Sequence, residues 1–189
     1  MRLSLLNVSR LSASRASSFS ASRLRSFPCL PASQAMRTKS TFSLSPEHVK
    51  VLEATVPAVA AANTDFTKHF YKRLFVAVPC LQNVFNNTNQ AKGSQPARLF
   101  ASIAEAAMSV LEDRPVDMDL VVTICHKHCA LGVQPGQYDI VGAHVLGTIE
   151  DILTKDPAVL EAWGALFGEV AAALHTAEEG IYAAVEAKK

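Results

Sequence analysis

Apolar residues recur at every third or fourth position through most of the chain from Leu44 onward, which is the spacing of one face of an α-helix. The first stripe contains Val49, Leu52, Val56 and Val59, and the last contains Leu160, Trp163, Phe167, Val170 and Leu174. The alternating apolar and polar runs that predict strands are not found. The sequence therefore predicts an all-α domain of about seven to eight helices.

Capping residues and prolines predict where the early helices begin and end. The pair Ser45-Pro46 has the composition of an N-cap followed by a first helical position. Pro57 is expected to kink or end this helix, because proline lacks the amide hydrogen that the helical ladder needs. Thr64-Asp65 is a candidate cap for the second helix, which should stop at Pro79.

The later boundaries are predicted from the same signals. Pro96 is expected to start a helix that breaks at residues 112–115, and the next helix should stop at Gly132. Pro135-Gly136 precedes another apolar stripe, and Asp156-Pro157 repeats the cap-plus-proline signal before the last helix.

Charge is distributed unevenly along the 189 residues. Residues 1–40 are Ser-rich and hold seven basic residues without an acidic one, whereas the remainder has 11 basic and 17 acidic residues. A basic segment with too few apolar residues for a secretory signal is typical of an organelle-targeting leader. We expect residues 1–40 to be a disordered leader, addressed to the mitochondrial matrix in preference to a plastid, and residues 41–189 to form one folded domain.

Composition also argues against several classes of protein. A basic arm that binds nucleic acid would share the charge of the leader, but the acidic remainder disfavours that function. No apolar run approaches the roughly 18 to 20 residues that cross a bilayer, so a membrane-spanning protein is not expected. Cys80, Cys125 and Cys129, which follow the leader, have no regular spacing, so a disulfide framework is not expected either.

The segment HKHCALGVQPGQYDIVG, residues 126–142, places two histidines close to Cys129. Three interpretations compete: a zinc site, a ligand of another metal cofactor, or a core histidine among incidental polar residues. Residues two apart on a helix point about 200° away from each other, so His126 and His128 cannot bind the same ion. The apolar neighbours place His128 on the buried face, and a zinc site there would need Cys125 and Cys129 but lacks a second pair of ligands.

A single buried imidazole is sufficient when a macrocycle already holds the metal, as in haem. Such a cofactor needs an apolar slot with aromatic walls and a few polar groups on the side opposite the ligand. Phe85 precedes a polar loop, Gln95 and Leu99 lie one helical turn apart, and Tyr71 adds a hydroxyl to an apolar helix face. Taken one by one, these residues would more often be core or solvent residues, and the residue types alone leave the choice open.

Four segments add a resemblance to a known family. HFYKRLF, NVFNNTNQAKGSQPARL, HKHCALGVQPGQYDIVGAHVL and the AWG of residues 162–164 resemble the globin domain of flavohaemoglobins and their single-domain bacterial-type relatives. The resemblance covers about residues 44–185, in the same order and with matching gaps. It implies the globin fold, with helices packed around haem b.

The resemblance also implies roles for individual residues. His128 corresponds to the proximal iron ligand, and Tyr71 to the distal tyrosine that hydrogen-bonds bound oxygen. The remaining equivalents are Gln95 as the distal glutamine, Phe85 packed on the haem, Leu99 restricting access and Tyr138 on the proximal side. With Tyr71 and Gln95 as candidate catalytic residues, the implied function is O2 binding for scavenging or for oxidation of nitric oxide.

Two departures from the family pattern shape this expectation. Just before its Ile/Leu-Tyr pair the family has a proximal-side glutamate, where AEEGIY places Gly180. Glu178 and Glu179 point away from that direction by the helical count, so we expect weaker electron donation to the iron, favouring reversible oxygen binding over peroxide cleavage.

The second departure is that no nucleotide-binding fingerprint or strand-rich segment follows the globin-like region. Electrons are therefore expected from a separate reductase or a small-molecule donor. Two other functions remain open at this stage: a gas sensor acting through a partner, and a helical interaction protein that lacks haem.

Overall fold

The computed structural model describes residues 42–85 and 93–187. The predicted leader at residues 1–40 lies outside these ranges, and its targeting role stays a prediction. Within them the chain forms six α-helices and one 3-10 helix, without a β-strand, so the all-α prediction is confirmed. The helices are α1 (Pro46–Ala61), α2 (Asn63–Ala77), the 3-10 helix Pro79–Asn83, α3 (Ser94–Leu111), α4 (Met118–Leu131), α5 (Pro135–Ile152) and α6 (Pro157–Glu186).

Three helix ends carry the capping interactions that the sequence indicates. The Ser45 hydroxyl accepts a hydrogen bond from the His48 amide at 3.1 Å, and the Asp156 carboxylate accepts one from the Ala158 amide at 2.9 Å. Gly132 ends α4 with a φ of 69°, a left-handed conformation that glycine adopts without steric penalty. Local side-chain chemistry therefore determines these boundaries.

Other boundaries differ from the prediction. Pro57 lies inside α1 and does not end it, since the helix continues for another turn and buries Val59. Helix α2 begins at Asn63 and not behind a Thr64-Asp65 cap. Helix α3 begins at Ser94, which places Pro96 within its first turn, where the missing amide hydrogen costs little.

The core is organised around α6, which packs against α1, α4 and α5. Leu52, Phe66, Phe70, Leu74 and Ile149 are fully buried. Trp163 belongs to this core, and its indole nitrogen donates to the Thr55 hydroxyl at 3.0 Å, which joins α6 to α1. Trp163 thus has the packing role that the sequence predicts.

Helix α6 is also long and apolar enough, by length and composition alone, to cross a bilayer, a feature that the search for apolar runs missed. This is weak support for a membrane span, because the core helix of a soluble protein passes the same test. Helix α6 contacts four other helices, α1, α3, α4 and α5, as a core helix does.

Candidate functional site

His128 lies in the last turn of α4 and is held by two polar side chains from other helices. Its Nδ1 lies 2.8 Å from Oε1 of Glu178 on α6 and 2.8 Å from the hydroxyl of Tyr138 on α5. An ionised carboxylate only accepts hydrogen bonds, so the imidazole Nδ1–H donates to Glu178. This tautomer leaves the lone pair on Nε2, the nitrogen that a metal would use.

The position of Glu178 corrects the expectation drawn from Gly180. Glu178 is 4% exposed and contacts His128, whereas Gly180 is exposed and a Cβ there would meet no atom within 4 Å. The helical count assumed that residue 180 faces the proximal histidine. The contacting carboxylate instead lies one turn before Tyr182, so the expectation that Glu178 points away from His128 is wrong, and the expectation of weak electron donation loses its basis.

Tyr138 completes a three-membered network with His128 and Glu178. Its hydroxyl donates to Oε1 of Glu178 at 2.5 Å. Burial, together with this hydrogen bond, raises the pKa of Tyr138 far above its ordinary value, so the phenol stays protonated and remains a donor. One carboxylate oxygen therefore receives hydrogen bonds from both the imidazole and the phenol, which fixes the ring of His128.

The neighbouring cysteines point away from any shared ligand position. The thiols of Cys125 and Cys129 face backbone carbonyls of α6, at 3.9 Å from Leu174 and 4.0 Å from Glu178. Burial raises the pKa of Cys125 to about 11, which keeps it a neutral thiol. No group of three His, Cys, Asp or Glu side chains suited to a metal ion occurs among residues 42–85 and 93–187, and His126 is exposed.

The distal candidates begin with Tyr71 on α2, which is 6% exposed and surrounded by aromatic rings. Its ring centroid lies 4.8 Å from Phe70, 5.4 Å from Phe75 and 5.5 Å from Phe85. Phe85 follows the 3-10 helix and packs at 5.7 Å against Phe75. The predicted aromatic wall therefore exists beside Tyr71, and Phe75 is a member that the sequence analysis did not single out.

Gln95 and Leu99 lie one turn apart near the start of α3, as predicted. Both are partly buried, and Leu99 packs against the core cluster to which Tyr71 belongs. A polar and an apolar residue thus lie one turn apart on α3, which packs against α2, the helix that carries Tyr71.

The packing of the helices separates the distal and proximal groups. Within the part of the chain that the structure describes, α4 packs extensively only against α6, and not against α2 or α3. His128 and Tyr71 thus lie on helices that do not pack extensively against each other. A planar cofactor between the two residues requires such a separation.

A cavity of about 230 Å³ borders Glu178 and is lined by Val133, Gln134, Pro135, His175, Glu179 and Tyr182 as well. Neither His128 nor Tyr71 lines it, so this cavity is a surface feature beside the proximal network and not the place where a cofactor would contact His128.

Glu178 is the functional candidate that the sequence analysis missed. Its signal was a spacing of one helical turn before Tyr182, which sets a carboxylate on the same face of α6 as Leu174, a residue of the apolar stripe. Phe75 carried a similar signal, since it lies one turn after Tyr71.

Comparison with known proteins identifies the family. The family model described as Globin matches residues 68–174, and the chain belongs to the globin family. Flavohemoprotein A of Dictyostelium discoideum is 38% identical over 147 residues, covering 76% of this chain and 36% of that protein. The chain thus spans about a third of the length of the curated relatives it matches.

Solved structures agree with this assignment. A bacterial globin from Campylobacter jejuni is 31% identical with a TM-score of 0.67, covering 73% of this chain and 99% of that one. The flavohemoglobin of Malassezia yamatoensis, solved with bound FAD and heme, is 31% identical with a TM-score of 0.69, covering 74% of this chain and 38% of that one. The globin fold implied by the sequence resemblance is confirmed.

The residues present fit a haem iron. A metal-ligating histidine usually donates its second ring nitrogen to a carboxylate, which orients the ring and raises its basicity, and His128 has this arrangement with Glu178. The aromatic wall beside Tyr71 would supply the apolar surface that a porphyrin needs.

Proposed function

We propose that this globin holds haem b through Nε2 of His128 and binds O2, either to scavenge it or to oxidise nitric oxide with electrons from a separate reductase. The observation that carries the proposal is the hydrogen bond from His128 Nδ1 to the buried carboxylate of Glu178, at 2.8 Å. This bond leaves the Nε2 lone pair available to a metal, as in metal-ligating histidines.

The cofactor is haem, as family membership and the haem-containing relative indicate. His128 would hold this group, which when bound would supply the iron chemistry needed for O2 binding. The protein residues provide everything else: they orient the ligand, donate hydrogen bonds and exclude water.

On the proximal side, Glu178 and Tyr138 hold the imidazole in one orientation. The Glu178 carboxyl group, buried beside the imidazole, would give the imidazole partial imidazolate character and strengthen its bond to a metal. Tyr138 limits this effect by donating to the same oxygen. We therefore propose that Glu178 makes His128 a stronger metal ligand and that Tyr138 reduces this effect.

On the distal side, Tyr71 is the candidate donor. A phenol that donates to O2 carrying partial negative charge should raise the free-energy barrier to O2 release by about 1.5 to 3 kcal/mol, the strength of a charge-assisted hydrogen bond. Release is then slower. Gln95 is proposed to assist directly or through water, while Phe85 and Leu99 restrict access with apolar surface. Slow release suits scavenging or nitric oxide oxidation better than bulk oxygen transport.

Replacing His128 with Ala tests the ligand. We expect the purified variant to lose the absorption spectrum of a histidine-ligated haem, because the imidazole is the proposed ligand of the iron. His126→Ala is the matched control, since His126 is exposed on the same helix. A wild-type protein without a Soret band after haem addition, or an unchanged spectrum in His128→Ala, would refute the assignment.

Nitrate production tests the turnover. Oxygenated protein mixed with nitric oxide and an added flavin reductase should form nitrate over many cycles if it is a dioxygenase. Stoichiometric nitrate without turnover under saturating reductant would instead favour the scavenging or sensing functions.

The cellular address of residues 1–40 is part of the proposal. The basic, Ser-rich composition of this segment supports a mitochondrial matrix location, with a plastid as the alternative. Fusion of residues 1–40 to a fluorescent protein would show which organelle, if either, imports it.

A further inference from the structure

We propose that a polar cluster between α2 and α5, formed by His69, Arg73, His144 and Asp151, positions Tyr71 for its distal role. This α2–α5 polar cluster lies on the face of α2 opposite Tyr71. The inference deepens the proposed function and rests on it, because it concerns how the distal donor is placed.

The cluster is held together by the Asp151 carboxylate. Its Oδ2 accepts from Nη1 of Arg73 and from Nε2 of His69 at 2.8 Å. His69 and Arg73 lie one turn apart on α2, and Asp151 lies near the end of α5. One carboxylate therefore joins two successive turns of α2 to α5.

Gly147 makes room for this contact. A Cβ at residue 147 would lie 2.8 Å from Cζ and 3.1 Å from Nε of Arg73, which is closer than side chains pack. Gly147 and Asp151 share a face of α5 because they are four residues apart. The guanidinium thus lies in a notch on α5, and it fixes how far α2 can slide along α5.

The cluster is poorly suited to a purely stabilising role. The Arg73 and Asp151 side chains are each 36% exposed, a setting in which ion pairs contribute little to stability. Nε of Arg73 and Nδ1 of His144 are buried without a hydrogen-bond partner among the described residues, which costs free energy. The cluster contributes little energy but has a specific geometry. This is better explained if it fixes the position of α2 along α5.

Tyr71 lies between His69 and Arg73 in the sequence, on the other side of the same helix. Its ring packs against Phe70 and Phe85, so it has little freedom to compensate if α2 moves. Hydrogen bonds weaken steeply with misalignment, and small displacements of a positioned group cause large losses. A shift of α2 along α5 should therefore displace the hydroxyl of Tyr71.

Arg73→Met tests the inference in the haem-loaded protein, since it keeps the length of the side chain and removes the guanidinium. We expect the O2 dissociation rate to rise about threefold or more, because a misplaced phenol loses part of its hydrogen bond. The C–O stretching frequency of the carbon monoxide complex should rise as well, since a weaker donor polarises the ligand less. Lys72→Met, at an exposed neighbouring position, is the matched control and should change neither.

The same substitution in a Tyr71→Phe background decides whether Arg73 acts through Tyr71. No additional increase in the dissociation rate supports positioning, whereas an equal increase in both backgrounds overturns it. A lower melting temperature of Arg73→Met with unchanged rate and frequency also overturns it. Asp151→Asn, which keeps the shape of the side chain, replaces Arg73→Met if the latter does not fold, with the same expectations.

The series distinguishes this inference from the proposed function. If Tyr71→Phe alone leaves the dissociation rate unchanged, the distal role of Tyr71 fails and the positioning role fails with it. If Tyr71→Phe accelerates release but Arg73→Met does not, only the positioning role fails.

Discussion

The proximal and distal sides of the candidate site are built in different ways. The proximal side joins His128, Tyr138 and Glu178, one from each of α4, α5 and α6, through hydrogen bonds of 2.5 to 2.8 Å. The distal side is an aromatic cluster, in which Tyr71 and Phe75 come from one helix and Phe85 from the segment that follows. The first depends on the mutual placement of three helices, and the second mainly on one helix face.

This difference predicts different consequences of substitution. Removing a member of the proximal network leaves buried polar atoms without partners, so stability and the electronic properties of the ligand should change together. Removing the distal hydroxyl leaves an aromatic ring in an aromatic cluster, so packing should survive and only ligand kinetics should change. The following predictions test this contrast.

Tyr71→Phe should have the largest effect. We expect the O2 dissociation rate to rise at least about tenfold, because the charge-assisted hydrogen bond is lost while the ring packing is kept. Stopped-flow displacement of O2 by carbon monoxide measures this rate. The melting temperature should stay close to that of the wild type, and an unchanged dissociation rate would remove Tyr71 from the distal role.

Glu178→Ala should be the most destabilising of the proximal substitutions. The donors of His128 and Tyr138 then lose a shared buried acceptor, which should cost about 1 to 3 kcal/mol of unfolding free energy. Urea denaturation measures this change. Glu179→Ala is the matched control, because Glu179 is exposed, and an equal loss in both variants would contradict the prediction.

Glu178→Gln should have a smaller, electronic effect. The neutral amide is a weaker acceptor for the His128 Nδ1–H, so we expect the iron–histidine stretching frequency of the ferrous protein to fall. Resonance Raman spectroscopy measures it. The O2 dissociation rate should change less than in Tyr71→Phe. A larger change in Glu178→Gln would contradict the assignment of release kinetics to the distal side.

The smallest expected effect is a pH dependence of stability caused by His144 in the α2–α5 polar cluster. Burial, aided by the charge of Arg73, lowers the pKa of His144 below its ordinary value of 6.5. His144 therefore binds a proton more readily in the unfolded chain than in the folded one. The free energy of unfolding should fall as the pH drops below about 6.5.

His144→Gln should flatten this part of the stability profile, measured by urea denaturation between pH 7.5 and pH 5.5 (roughly the range in which a histidine titrates). His69 and Asp151 face the same cluster, and the low pKa of Asp151, caused first by His69, matters only in more acidic solution. An identical slope in wild type and variant would show that His144 does not contribute.

The local features of the chain were predictable because their causes are local. The Ser45 and Asp156 caps, the Gly132 stop and the pairing of Gln95 with Leu99 on one helix depend on residues within a turn or two. The exceptions were the Thr64-Asp65 cap, which α2 does not use, and Pro57, where tertiary burial of Val59 maintains α1 beyond the proline. Propensity was overridden there by packing.

The sequence by itself determined an all-α globin domain, the candidate ligand His128 and an aromatic distal face, since periodicity and capping follow from the chemistry of neighbouring residues. Only the tertiary structure decided that Glu178, and not residue 180, meets His128, and that Arg73 lies over Gly147. Those contacts depend on the rotation of one helix relative to another, which arises from packing of the whole core and not from the spacing within any single helix.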